Sequence, residues 1–364
     1  MIATTQVPSS TALTSTHSTS TKVIRMARLQ EIERRTVAKI EDEYKEEVLA
    51  HQKKIEIATL PDVSMMDLQP ELEWHMRPYL LDFLLESHLS LHLQPQTLFL
   101  AVNLIDRYCS RRVVFKKHYQ LVGCTALWIA AKYEDKKERV PTVRELKIMC
   151  CDAYEEDMFV QMEGHVLSTL EWSISHTTSD ACLKQIMRYN CSPTLEHLAN
   201  YLCELSLYHK AFIGLFPSAI AAAALFVAQR ILTNHDIASC ASAMPSDVLE
   251  AQIVSLFAQY IVHTPSQSLL KKFSSSTFSH VALILQSYIS DRQRTVLPPT
   301  PPPSSEVLVT SDVKFNSNSN KMIDINEQVS SECTVTNRAD SNRHSSYMTP
   351  PCTPDEVCPI GFQG

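Results

Sequence analysis

Two segments of this chain are apolar on every helical face: YQLVGCTALWIAAKY (residues 119–133) and LFPSAIAAAALFVAQ (residues 215–229). A helix with no polar side belongs at the centre of a bundle, and its Ala and Gly residues let neighbouring helices approach closely. The two segments lie about 95 residues apart, which reads as an internal repeat. Further segments with helical apolar spacing surround each: 76–91, 95–111, 141–151 and 155–170 the first, 178–190, 194–211, 246–263 and 278–290 the second. Prolines mark the helix starts at Pro95, Pro141, Pro193, Pro217 and Pro245, where a missing N–H costs nothing, and Pro78 puts a first turn near Trp74–Arg77. No alternating strand pattern of useful length occurs. The sequence predicts an all-α protein built from two tandem five-helix units.

What flanks the units differs in composition. Residues 1–22 are rich in Ser and Thr and nearly uncharged, and read as disordered. Residues 23–73 read as a helical segment whose sparse stripe (Met26, Leu29, Ile32, Val37, Ile40, Tyr44, Val48) runs between charged residues. The units then span 74–175 and 176–290. Residues 291–364 carry nine of the 19 prolines with few large apolar side chains, too few to fold alone.

Composition excludes several classes. Five glycines leave no room for G-x-G-x-x-G or G-x-x-x-x-G-K-[ST], so no phosphate-cradling loop and no cofactor are expected, and tight β-hairpins are disfavoured. A formal charge of −7 argues against a nucleic-acid-coating surface. No apolar run approaches about 20 residues, so no membrane span is expected, and the N-terminus lacks the apolar core of a signal peptide. Eleven cysteines with no C-x-x-C fit a reduced intracellular protein, and nothing chooses between nucleus and cytoplasm. His88 and His92 have i, i+4 spacing without H-E-x-x-H around them, so they read as ordinary helix histidines and no metal is expected.

Four ordered motifs within 76–174 carry a resemblance. HMRPYLLDFLLESHLSL is similar to MRxxLxDWLxEV, LFLAVNLIDRYCS to LAVNxxDRFLS, LVGCTALWIAAKYED to LxGxTAxxIASKYEE, and MEGHVLSTLEWSI to MExxILxxLxF. This order resembles the cyclin box, and the second unit resembles the second box more loosely through LFPSAIAAAALFVA and KKFSSSTFSHV. The wording HMRP, IDRYCS, YQLVGC and RVPTVREL is most similar to fungal G1-type cyclins of the Cln class.

The resemblance implies a non-catalytic regulatory subunit, a G1 or G1/S cyclin that binds and activates a cyclin-dependent Ser/Thr kinase, recruits substrates and promotes cell-cycle entry. Lys132 and Glu163 match the residues that hold the kinase's mobile helix in cyclins, and Ile129, Tyr133, Leu167, Trp172 and Ile174 match the apolar positions around them. From the residues alone, a Lys at the end of an apolar helix is more simply a solvated end. Met76, Leu80 and Phe83 form an i, i+4, i+7 stripe that reads as core by itself. In cyclins the matching positions, with a Gln like Gln120, line a groove for short substrate docking peptides. Phe83 stands where the family has Trp, and Pro78 where it has a small residue.

Arg77 and Asp106 sit in otherwise apolar segments and read as a buried structural pair fixing how the first two helices cross. In the tail, Thr300-Pro301 with Ser304 and Thr349-Pro350 with Thr353 share one spacing. Thr-Pro suits proline-directed kinases, and a phosphate at +4 resembles the degron read by F-box ubiquitin ligases. The rivals are a cyclin-fold transcription factor, an α-helical enzyme and a scaffold. The first should carry a zinc ribbon and a basic surface, and the second a convergent carboxylate–His constellation; the sequence has neither.

Overall fold

A computed structural model describes residues 14–187, 191–237, 248–263 and 266–296, all within the unit Met1–Thr300. Every regular element among the described residues is a helix. The N-terminal segment holds α1 (Thr14–Glu43), α2 (Lys45–Ala58) and α3 (Val63–Met66). The first unit holds α4 (Arg77–Ser90), α5 (Pro95–Cys109), α6 (Lys116–Glu134), α7 (Val143–Met149) and α8 (Glu156–Thr169). The second holds α9 (Ser179–Ile186), α10 (Pro193–Leu207), α11 (Pro217–Leu232), α12 (Val248–Tyr260), α13 (Gln267–Phe273) and α14 (Val281–Val296).

The two all-apolar segments are the hubs. α6 is buried without interruption from Leu121 to Ala131 and packs on α4, α5 and α8. α11 buries Ala219, Ala221, Ala223, Ala224 and Ala228 against α9, α10 and α12. The approach of α4 to α6 depends on Gly123, where an added Cβ would lie 2.7 Å from Leu80 Cδ1.

The helix boundaries follow local chemistry. Pro95, Pro193 and Pro217 each occupy the first turn of their helix. Pro141 precedes its helix instead: Thr142 is the cap, accepting from the Glu145 N–H at 3.3 Å while the Glu145 carboxylate accepts from the Thr142 N–H at 2.6 Å. That reciprocal pair satisfies two otherwise orphaned donors. Pro245 and the expected helix ends 188–190 and 246–247 lie outside the described residues.

Two features differ from the sequence expectation. α1 begins at Thr14, inside the stretch expected to be disordered, because extending an existing helix costs far less than nucleating one. The second unit has a sixth helix, α13. Seven residues are too few to show a periodic stripe, yet Ser266 caps α13 and Leu269 and Phe273 are fully buried. α13 also packs on α4 of the first unit, where the Ser268 hydroxyl donates to Glu86 at 2.7 Å.

The segment after α1 straps both units. The Glu56 carboxylate accepts from the Ser218 N–H (2.6 Å) and hydroxyl (3.0 Å) at the start of α11, where the helix dipole favours an anion. The Thr59 carbonyl accepts from Asn103 of α5, and the Thr177 hydroxyl donates to the Gln52 carbonyl.

Buried histidines give the fold an acid limit. Burial pushes His88 down to about 4, His176 to about 3 and His209 to about 4. Each is neutral when folded and titrates near 6.5 when unfolded, so the unfolded chain takes up protons first as pH falls. Stability is therefore complete above about pH 6.5 and is lost as pH falls toward 4, by up to roughly 1.4 kcal/mol per pH unit for each of the well-buried His88 and His176, and by less for the half-buried His209, whose charge solvent screens. Urea midpoints at pH 7.5 and pH 5 should differ accordingly. His88→Gln, which keeps a donor for the Gln94 carbonyl that His88 Nε2 meets at 2.7 Å, should reduce the difference. His92 lies beyond the end of α4 at φ 52°, so the His88/His92 pair does not share a helix face, and the described residues contain no cluster of three metal-ligating side chains.

Candidate functional site

Lys132 occupies the last turn of α6, where its cation complements the carbonyl end of the helix. Its ammonium lies 2.6 Å from Glu163 Oε1 on α8, and 3.2 Å above the ring centroid of Trp128, one turn back on α6. Trp128 is itself fixed, its indole N–H donating to the Pro141 carbonyl at 2.9 Å. A salt bridge and a cation–π contact thus hold one ammonium in place before any partner arrives. The Lys132 side chain keeps 39% of its exposure and that of Glu163 18%, so both remain reachable.

Apolar side chains are exposed along these elements as well. Tyr133 is 51% exposed and Trp172 69%, and Val160 on α8 and Ile148 on α7 are exposed as well. Gly164, the residue after Glu163, faces open space on the same helix. Glu171 and Trp172 are both left-handed, at φ 54° and 60°, and the Trp172 N–H closes back on the Leu167 carbonyl at 2.9 Å. That turn holds a large indole out in solvent at a backbone conformation that costs a non-glycine residue energy. Ile174 is half-buried against the main core, while Ile129 and Leu167 lie within it, at 2% and 9% exposure. Of the seven residues expected on this face, Lys132, Glu163, Tyr133 and Trp172 present surface, and Ile129 and Leu167 support it from beneath. Trp128 and Val160, which sequence reasoning did not single out, share helix faces with the pair. Trp128 stands four residues before Lys132 and Val160 three before Glu163, the spacings that share a helix face.

The other expected residues fall elsewhere. Met76, Phe83 and Gln120 are half-buried, whereas Leu80 is 6% exposed because it fills the space over Gly123 and contributes least to any groove. Arg77 and Asp106 form a bidentate buried pair, with Nη1 to Oδ1 at 2.5 Å and Nη2 to Oδ2 at 2.9 Å. The pair does more than cross two helices: Arg77 Nε donates to the Leu207 carbonyl at 2.7 Å, tying the first unit to the end of α10. A cavity of about 70 Å3 beside it is lined by Asn103, His176 and Ser206 among others. A second buried pair, Lys272–Glu204 at 2.5 Å, links α13 to α10. Burial pushes the Glu204 carboxyl upward, and the adjacent ammonium opposes that. Its sequence signal was a lone Glu in the apolar run LANYLCELSLYH. Thr300, Ser304, Thr349 and Thr353 lie outside the described residues. No helix among the described residues is long and apolar enough to cross a membrane.

Comparison with known proteins bears on this arrangement. The family model for the cyclin N-terminal domain matches residues 47–175, and that for the cyclin C-terminal domain matches residues 178–287. The chain is 44% identical over 271 residues to the G1/S-specific cyclin CCN1 of Candida albicans, covering 68% of this chain and 37% of that protein. It is 47% identical over 154 residues to the G1/S-specific cyclin CLN3 of Candida albicans, covering 42% and 33%. Cyclin puc1 of Schizosaccharomyces pombe is 46% identical over 136 residues, covering 37% and 38%. The chain thus spans little more than a third of the length of these relatives. Among solved structures, a viral cyclin from herpesvirus saimiri aligns at 19% identity with a TM-score of 0.47, over 67% of this chain and 97% of that one.

Proposed function

The chain belongs to the cyclin family, and from that premise we propose that it is a G1 or G1/S cyclin, the regulatory subunit of a cyclin-dependent Ser/Thr kinase. It carries out no chemistry of its own. The observation that carries the reading is the preformed Lys132–Glu163 pair, braced on Trp128, with Tyr133 next to Lys132 and Val160 one helical turn from Glu163 both exposed. A fixed ion pair with exposed apolar side chains beside it suits a partner helix that brings both an apolar face and polar backbone ends. Kinase activation then follows as a population shift, since the subunit binds the active kinase conformation better than the inactive one. A contact of this kind buries of the order of 2,000 Å2.

Met76, Phe83 and Gln120 leave surface for short substrate docking peptides, with Phe83 and Pro78 altering the motif accepted. We place the protein inside the cell, in nucleus, cytoplasm or both, in keeping with its free cysteines. The direct test mixes the full chain with a purified cyclin-dependent kinase and follows Ser/Thr-Pro phosphorylation of a histone-type substrate. Stimulation by at least tenfold is expected, and none at saturating chain would refute the reading.

Tail phosphorylation sets abundance in this proposal. Phosphates on Thr300 with Ser304, and on Thr349 with Thr353, each add about −1.5 to −2 charges, which an Arg-lined ubiquitin-ligase pocket can grip. Thr300→Ala/Thr349→Ala should lengthen the half-life several-fold in a protein-synthesis shut-off, and an unchanged decay would remove the degron.

A further inference from the structure

The first unit holds a buried cation with no counter-charge. Asn103 and Arg107 stand one turn apart on α5, and Arg111 follows four residues later, just past its end. The chain closes both ends of this row. Asn103 Nδ2 donates to the Thr59 carbonyl at 3.0 Å, and Arg111 Nη1 donates to the Thr169 carbonyl at 3.1 Å and lies 3.5 Å from Glu171 Oε1. Arg107, between them, is 4% exposed and has neither a hydrogen bond nor an ion pair among the described residues, and its Nη1 is sealed from solvent. Asn103 Oδ1 is also without a partner, but an amide oxygen brings no charge. Burial and the neighbouring Arg111 charge pull the Arg107 guanidinium down to about 10, so it is still a cation at neutral pH.

A buried charge without an opposite one destabilises the fold that holds it, and such features persist where function needs them. What covers Arg107 points to that function. Burial, with the Arg107 charge beside it, keeps His176 neutral, and Arg111 reaches Thr169 and Glu171, so Arg107 lies beneath the segment 171–176. That segment carries Trp172, 69% exposed, and Ile174, two of the residues expected on the kinase face. The planar guanidinium fork matches a carboxylate. One carboxylate balances one guanidinium, whereas a phosphate dianion would need a second free cation. Arg111 and Arg112 are both turned to Thr169, and Glu171, 84% exposed, is engaged by Arg111.

We propose that Arg107 receives a carboxylate side chain of the bound kinase, a second charged anchor separate from the Lys132–Glu163 pair. The assignment rests on the kinase-subunit reading above. An Asp or Glu that enters beside Trp172 leaves water for a bidentate partner already in place, and the free subunit is less stable for holding that partner ready.

Arg107→Met, which keeps the packing of the stem and removes the charge, separates this role from a structural one. In the free full chain it should raise the melting temperature by a few degrees. In a titration against a purified cyclin-dependent kinase the same variant should bind at least tenfold more weakly. An arginine with a purely structural role would lower stability and affinity together. The Asp and Glu residues of the kinase are then replaced singly by Ala. One replacement should weaken the wild-type complex at least tenfold and the Arg107→Met complex less than twofold. A lower melting temperature for Arg107→Met would overturn the proposal, since it would mean a partner within the chain itself. Unchanged kinase affinity, or a scan that finds no such acidic residue, would overturn it as well. A wild-type chain that binds no kinase would instead refute the reading beneath it, and the kinase as source of the carboxylate with it.

Discussion

Lys132→Glu is expected to abolish kinase activation while leaving the free protein folded. In the free chain the pair with Glu163 is partly hydrated, with Lys132 39% exposed, and such pairs contribute under about 1 kcal/mol. Reversal also ends the Trp128 contact and sets two carboxylates side by side, which solvent screens. The melting temperature should therefore fall by only a few degrees. Beneath a partner helix the same groups lose their water, and a mismatched buried charge then costs about 2–5 kcal/mol, or roughly 30- to several-thousand-fold in affinity. Titrating kinase activity against wild type and variant measures the loss directly. Undiminished activation by Lys132→Glu would place the interface elsewhere. The swap Lys132→Glu/Glu163→Lys separates two roles. Recovery would mean that the pair acts as an internal prop, and continued failure would mean that each group meets its own kinase atom.

What the sequence disclosed depended on how far each signal reached along the chain. The hubs were legible because YQLVGCTALWIAAKY and LFPSAIAAAALFVAQ have no polar face, a property local to 15 residues. Arg77 and Asp106 stood out as charges among apolar neighbours, and they do meet. The third partner, the Leu207 carbonyl, is a backbone atom 130 residues away and has no residue type to betray it. α13 was missed because one buried face of seven residues is too short to carry a period. Periodicity identified Leu80 as a stripe residue, and the resemblance put Ile129 on the candidate face, but neither signal could say on which side a residue is covered. The answer for Leu80 depends on Gly123 of another helix. The exposure of Trp172 follows from a left-handed turn at Glu171 and Trp172, residue types that ordinarily avoid that conformation.

Replacing Arg77 should produce the largest loss of stability in the molecule. Arg77 and Asp106 are each 4% exposed, and the guanidinium meets both carboxylate oxygens as well as the Leu207 carbonyl. Arg77→Met leaves a buried anion and a carbonyl oxygen without those donors. The expected cost is about 3–5 kcal/mol, read as a shift of the urea midpoint at pH 7.5. The ion pair itself is close to neutral, because desolvating two charges offsets most of their attraction. Arg77→Met/Asp106→Leu should therefore recover most of the loss, leaving chiefly that of the Leu207 contact. A single variant costing under about 1 kcal/mol would mean that Asp106 finds water, and a double variant as unstable as the single would make the pair a net source of stability. The Leu207 contact adds a second readout. It joins the two units, so Arg77→Lys, which keeps the charge but loses the fork, should speed proteolysis of the 170–178 connection more than it lowers the midpoint. Lys272→Met, which breaks a buried pair linking α13 to α10, should by contrast lower the midpoint without speeding that cleavage.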